Sequence, residues 1–125
     1  MSTATWEPSP ANFDLSPAKV SELLQWIATH NLAETGSCPF SWLNEAAKSS
    51  PQWQNLATEL DDASLISLIR FFTLAEENAG WNLKDKAVVI TLFKALRKRS
   101  GTDKELVKWV KASSSNKFLP FGAVL

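Results

Sequence analysis

Apolar residues recur at helical spacing along most of this chain, and no segment shows the alternation of a half-buried strand. Val20, Leu23, Leu24 and Ile27 follow the i, i+3, i+4, i+7 rule for one inward face. Ser16 stands at an N-cap position, Pro17 at the first helical position, and Leu15 where it can staple onto Val20. A helix is therefore predicted from Pro17, fading over 31–34 ahead of Gly36, with Trp26 and His30 four residues apart on its flank. A short second helix is expected over 40–48, carrying Phe40, Leu43 and Ala47 on one side. Ser50 and Pro51 repeat the cap-and-proline start for a third, whose stripe is Trp53, Leu56, Ala57 and Leu60.

Either Asp61 or Asp62 can cap a fourth helix over 63–78, the segment most buried by composition. Leu65, Leu68, Ile69, Phe72 and Ala75 share its broad side, and Ala63, Ser67, Arg70, Thr73 and Glu77 form a thinner polar stripe opposite. The segment 86–99, KAVVITLFKALRKR, then combines two roles. Val88, Val89, Leu92, Phe93, Ala95 and Leu96 span an apolar arc of roughly 160°, wide enough to meet several neighbours, while its end is a block of positive charge. Asn82, followed three residues later by Asp85, is its expected cap. Gly101 closes it, and Thr102 with Glu105 reads as the capping box of a last helix that turns Leu106, Trp109 and Val110 inward and Lys104, Lys108 and Lys111 outward. The tail FLPFGAVL is apolar and broken by Pro120 and Gly122, so its expected seat is a groove between helices.

These segments make the expected fold all-α: a compact orthogonal bundle of five or six helices with a docked apolar C-terminal tail. Residues 1–14, with Pro8 and Pro10, read as an extended N-terminal arm, and 15–125 as a single helical domain. No repeat of solenoid period is visible. The 125 residues suffice for a core without staples, and the lone Cys38 allows no intrachain disulfide. The first residues lack the basic and apolar regions of a signal peptide, and no apolar run approaches the roughly 20 residues of a membrane span. The expectation is a cytoplasmic protein without membrane insertion.

Zero net charge conceals a division. Residues 1–82 hold three basic and ten acidic side chains, a charge of −7; residues 83–125 hold ten basic and three acidic ones, a charge of +7. Such asymmetry marks a surface for a polyanion, unless the two halves neutralise each other within one fold or between copies.

Candidate chemistry is sparse. One His and one Cys, with no HExxH or CxxC, argue against a zinc site, and four isolated glycines make no phosphate-cradling loop. His30 and Cys38 could form a nucleophile and base only if the fold brought them together; a histidine stacked on Trp26 is the simpler expectation. The paired acids Asp61–Asp62 and Glu76–Glu77 diverge by about 100° on a helix, which suits capping and solvation better than convergence on one substrate atom. No cofactor is implied, and an enzyme with an aromatic-lined pocket is the weakest reading. Of six tryptophans, Trp6, Trp42 and Trp81 do not fall on inward faces and are candidates for a partner surface. The basic set Lys94, Arg97, Lys98, Arg99, Lys104, Lys108, Lys111 and Lys117 is the main functional signal. It points to a non-enzymatic helical interaction module that binds a protein partner, or itself, through complementary acidic and basic surfaces. The alternative is nucleic-acid binding by the two C-terminal helices. Their turn resembles a helix-turn-helix in outline, but lysines and serines there suit phosphates more than base edges.

Overall fold

Each of the six expected helices is present among the described residues, the second of them shorter than the expected 40–48 and without Phe40. The computed structural model describes residues 14–30, 39–79, 87–116, 118, 119 and 121, and among them there are six helices and no strand. They are α1 (Pro17–Thr29), α2 (Leu43–Ala47), α3 (Ser50–Ala57), α4 (Asp62–Ala79), α5 (Val88–Ser100) and α6 (Lys104–Ser113). No helix among the described residues is long and apolar enough to cross a membrane. The arm, apart from Asp14, lies outside the described residues.

α1 begins as expected, with the Ser16 hydroxyl accepting the Lys19 N–H at 3.3 Å and Leu15 and Val20 both buried. It ends at Thr29, ahead of 31–34, where His30 turns extended. The Thr29 hydroxyl lies 3.1 Å from both the Gln25 and the Trp26 carbonyls, so side-chain donors close the last turn. α3 starts one residue earlier than expected. Ser49, not Ser50, is its cap residue, and the Ser49 hydroxyl donates backwards to the Glu45 carbonyl at 2.7 Å, joining the end of α2 to the start of α3. The buried Trp53 indole N–H donates to the Ala46 carbonyl at 2.9 Å and fixes the same corner.

α4 is the central helix. Its broad side, Leu65 to Ala75, is buried as expected, but Thr73 and Glu76 are buried too, at 0% and 5% exposure. The thin polar stripe is therefore interrupted, because α1, α5 and α6 all pack on α4 and leave it little open surface. Thr73 resolves the conflict by donating its hydroxyl to the Ile69 carbonyl at 2.7 Å. Phe71 and Phe72 meet edge to face at 5.2 Å, and Phe72 meets Trp53 likewise at 5.4 Å, so the aromatic centre of the core lies between α4 and α3.

α5 lies mainly against α4 and α3, and all of Val88, Val89, Leu92, Phe93 and Leu96 are buried. The expected cap residues Asn82 and Asp85 lie outside the described residues; as described, the helix opens at Val88 behind an extended Ala87 that carries no side-chain cap. Ala87 is itself buried, so the chain enters α5 through the core instead of through a polar cap. Gly101 ends α5 at φ +83°, a left-handed backbone that favours glycine. α6 is capped by Asp103, whose carboxylate accepts the Leu106 N–H at 3.1 Å; the frame is one residue beyond the Thr102 box because the charged Asp is the better acceptor at a positive helix end. Of the apolar tail, Pro120 and residues 122–125 lie outside the described residues; Leu119 is buried at 2% exposure, and the Phe121 ring meets Phe93 edge to face at 5.4 Å.

Candidate interaction surface on α5 and α6

Lys94, Arg97 and Lys98 share one face of α5, and Lys104, Lys108 and Lys111 share one face of α6, because residues three and four apart stack along a helix. All six are exposed. The faces meet at the tail: the Arg97 guanidinium lies 5.3 Å and the Lys111 ammonium 5.6 Å from the centroid of the Phe121 ring. Lys117 lies outside the described residues, as do Trp6 and Trp81. Trp42 is half-buried, stacked on Phe40 at 5.2 Å and packed against the core, so its ring is largely committed to the fold.

Arg99 behaves differently from its neighbours. It lies on the other side of α5 and donates to the Leu60 carbonyl at 2.6 Å and the Ala57 carbonyl at 3.4 Å, and its Nε is 3.6 Å from an Asp62 carboxylate oxygen. It thus caps the end of α3 and pairs with the start of α4. The Ser100 hydroxyl donates to the same Asp62 carboxylate. Arg99 is a structural clasp more than a member of the exposed basic surface.

The Arg99–Asp62 pair is the one ion pair among the described residues. The other acids at the ends of α4 are taken up by neutral donors. Asp61 accepts the Ser64 N–H at 2.8 Å, and the hydrogen bonds from Ser64, with Arg99 nearby, hold its carboxyl below the usual range. Glu77 accepts both the hydroxyl and the N–H of Ser115, at 2.6 and 3.0 Å, which lowers its pKa in the same way. Glu76 accepts the Asn116 amide at 2.9 Å, yet burial pushes its pKa up, and the neighbouring Glu77 charge adds to that. At the end of α4, then, the negative half holds the positive half through Ser115 and Asn116, and among the described residues only Arg99 of the positive half has a carboxylate in ion-pair range.

Two further features were missed in the sequence. Arg70 reaches from α4 over the Trp109 ring of α6 at 5.5 Å. Phe121 is the large hydrophobic side chain exposed among the described residues, at 37%. Neither had a local signal, since each depends on a partner element distant in the chain.

The His30 ring stacks on Trp26 at 4.3 Å with 11° between planes, and its Nδ1 lies 2.9 Å from the Trp26 carbonyl. Cys38 lies outside the described residues. No group of three or more His, Cys, Asp or Glu among the described residues is placed to hold a metal ion. A cavity of about 230 Å³ opens between α1 and α3, lined by Pro17, Val20, Ser21, Leu24, Leu56, Glu59 and Leu60. With one acid and one hydroxyl in an aliphatic wall, it offers apolar contact more than converging catalytic groups. No protein-family model, curated protein or solved structure matches this chain.

Proposed function

We propose that this chain is a non-enzymatic interaction module that binds an acidic protein surface through the outward faces of α5 and α6. One observation carries the reading: Lys94, Arg97, Lys98, Lys104, Lys108 and Lys111 are exposed, and none has an ion pair among the described residues. A positive surface left unneutralised by its own chain steers and holds a negative partner. Self-association is the special case in which the partner surface is the acidic first half of a second copy.

The test is fluorescence anisotropy with a labelled glutamate-rich peptide at low and physiological salt. The native chain should bind with an affinity that falls as salt rises, and a variant carrying Lys94→Glu, Lys98→Glu and Lys108→Glu should not bind. Absence of binding by the native chain at the lowest salt would sink the reading. Sedimentation velocity over a range of concentration and salt decides the self-associating case, which a monomer throughout removes.

A second reading, phosphate contact with nucleic acid, is favoured by the purely lysine character of the exposed stripe of α6. Lysine ammonium groups suit phosphates and carry little base information. Under it, labelled DNA or RNA binds regardless of sequence, and each neutralised lysine lowers the salt slope by about 0.9 on duplex DNA.

A further inference from the structure

The cations of α5 and α6 are not spread evenly. Arg97 and Lys111 come from different helices and converge on one ring, Phe121, at 5.3 and 5.6 Å from its centroid. That ring is also held edge to face by Phe93 at 5.4 Å, with an 88° angle between planes, and keeps 37% of its surface exposed. The Phe121 side chain thus sits beside two positive side chains from different helices while staying partly exposed. An aromatic ring attracts cations to its face, so Phe121 draws together two like charges that would otherwise separate. No carboxylate lies within ion-pair distance of either cation among the described residues.

We infer that Arg97, Lys111 and Phe121 form the anchoring point of the basic surface, and that it takes an acidic segment of a partner protein in which an Asp or Glu stands beside an apolar residue. The inference rests on the acidic-partner reading above and gives it a specific seat. The partner's carboxylate lies between the guanidinium and the ammonium; Arg97 supplies a planar pair of donors and Lys111 a point charge. The partner's apolar side chain covers the exposed part of the Phe121 ring. A nucleobase fits this arrangement less well. Stacking needs an open ring face, whereas cations lie over this ring.

The experiment compares two labelled peptides of equal charge, one with a leucine among its glutamates and one with serine in that place, together with a single-stranded oligothymidylate. Three variants are measured after a thermal melt has checked that each is folded: Phe121→Ala, the pair Arg97→Gln with Lys111→Gln, and the pair Lys98→Gln with Lys104→Gln. The two pairs remove the same charge, so they separate a local seat from general attraction. The native chain should prefer the leucine peptide. Arg97→Gln with Lys111→Gln should weaken it about tenfold, and the control pair about twofold. Phe121→Ala should erase the preference for leucine while leaving the serine peptide unchanged.

Equal weakening by the two pairs, or a native chain that does not distinguish the peptides, overturns the anchor and leaves the acidic-partner reading standing. Binding of the oligothymidylate with neither peptide bound overturns both.

Discussion

The two ends of α4 do the same job with different chemistry. At its start, Asp61 and Asp62 meet exposed groups: Asp61 caps the helix, and Asp62 pairs with Arg99, with the two side chains 47% and 40% exposed. At its end, Glu76 and Glu77 meet the chain leaving α6, and Glu76 is 5% exposed. The first end is a charge pair in solvent, where the attraction is weak and screened. The second is a set of hydrogen bonds from neutral groups, one of them to a buried acid, where losing a donor is costly. Using neutral donors at the second end ties the halves together without spending the lysines of α6 on internal pairs. That is how a fold stitched by carboxylates still presents a positive face.

The largest expected effect comes from the middle, on which both ends depend. Phe72 is buried at 1% between Trp53 and Phe71, and Phe72→Ala should cost about 3–5 kcal/mol in urea or thermal unfolding. A cost well below that would mean that the ends, not the aromatic centre, carry the bundle.

The buried end should come next. Asn116→Ala removes the amide that donates to Glu76 and leaves a poorly solvated carboxylate short of a partner. The expected loss is about 1–3 kcal/mol at neutral pH. Adding Glu76→Gln should restore part of it, because the charge that lost its donor is then gone. If the double variant is as unstable as the single one, the loss lies in the tail's backbone and not in the acid.

The exposed end should be weaker. Arg99→Ala removes two bonds to carbonyls at the end of α3 and one solvent-exposed ion pair, for about 1 kcal/mol. Arg97→Ala, two residues away on the outward face, should stay within about 0.5 kcal/mol. Unfolding of the two variants side by side tests whether the basic block really divides into a clasp and a surface.

This division shows what was legible in the sequence. The inner faces of α4 and α5 were readable because burial follows local periodicity, and Leu65, Leu68, Ile69, Leu92 and Phe93 all fell as expected. The exposure of Lys94, Arg97 and Lys98 was readable for the same reason. Helix starts were less so. Ser49 or Ser50, and Thr102 or Asp103, could each serve as a cap, and contacts made after folding chose between them. The described start of α5 stands behind a buried Ala87, which no local capping preference would favour. Glu76 carried an overlooked signal: it lies four residues after Phe72 and seven after Ile69, on the face that packs inward. Phe121 carried none, since its place against Phe93 joins segments far apart in the chain.

The subtlest contrast lies within the second end itself, between two neighbouring acids that should respond to pH in opposite directions. Burial raises the pKa of Glu76 above the ordinary 4.5, so the folded state binds its proton more tightly than the unfolded chain. Its contribution to stability is therefore most favourable at low pH and declines as pH rises from about 4.5 through the raised folded value. Hydrogen bonds from Ser115 lower the pKa of Glu77, whose contribution is present above its ordinary 4.5 and is lost as pH falls through the lowered folded value. Urea unfolding of Glu76→Gln and Glu77→Gln across this range reads both. Glu76→Gln should gain on the native chain as pH rises above 4.5, since the amide never carries the buried charge. Glu77→Gln should lag behind the native chain at neutral pH and draw level as pH falls below 4.5. If the two difference curves run the same way, Glu76 is not held as a buried acid, and the ends of α4 differ only in their partners.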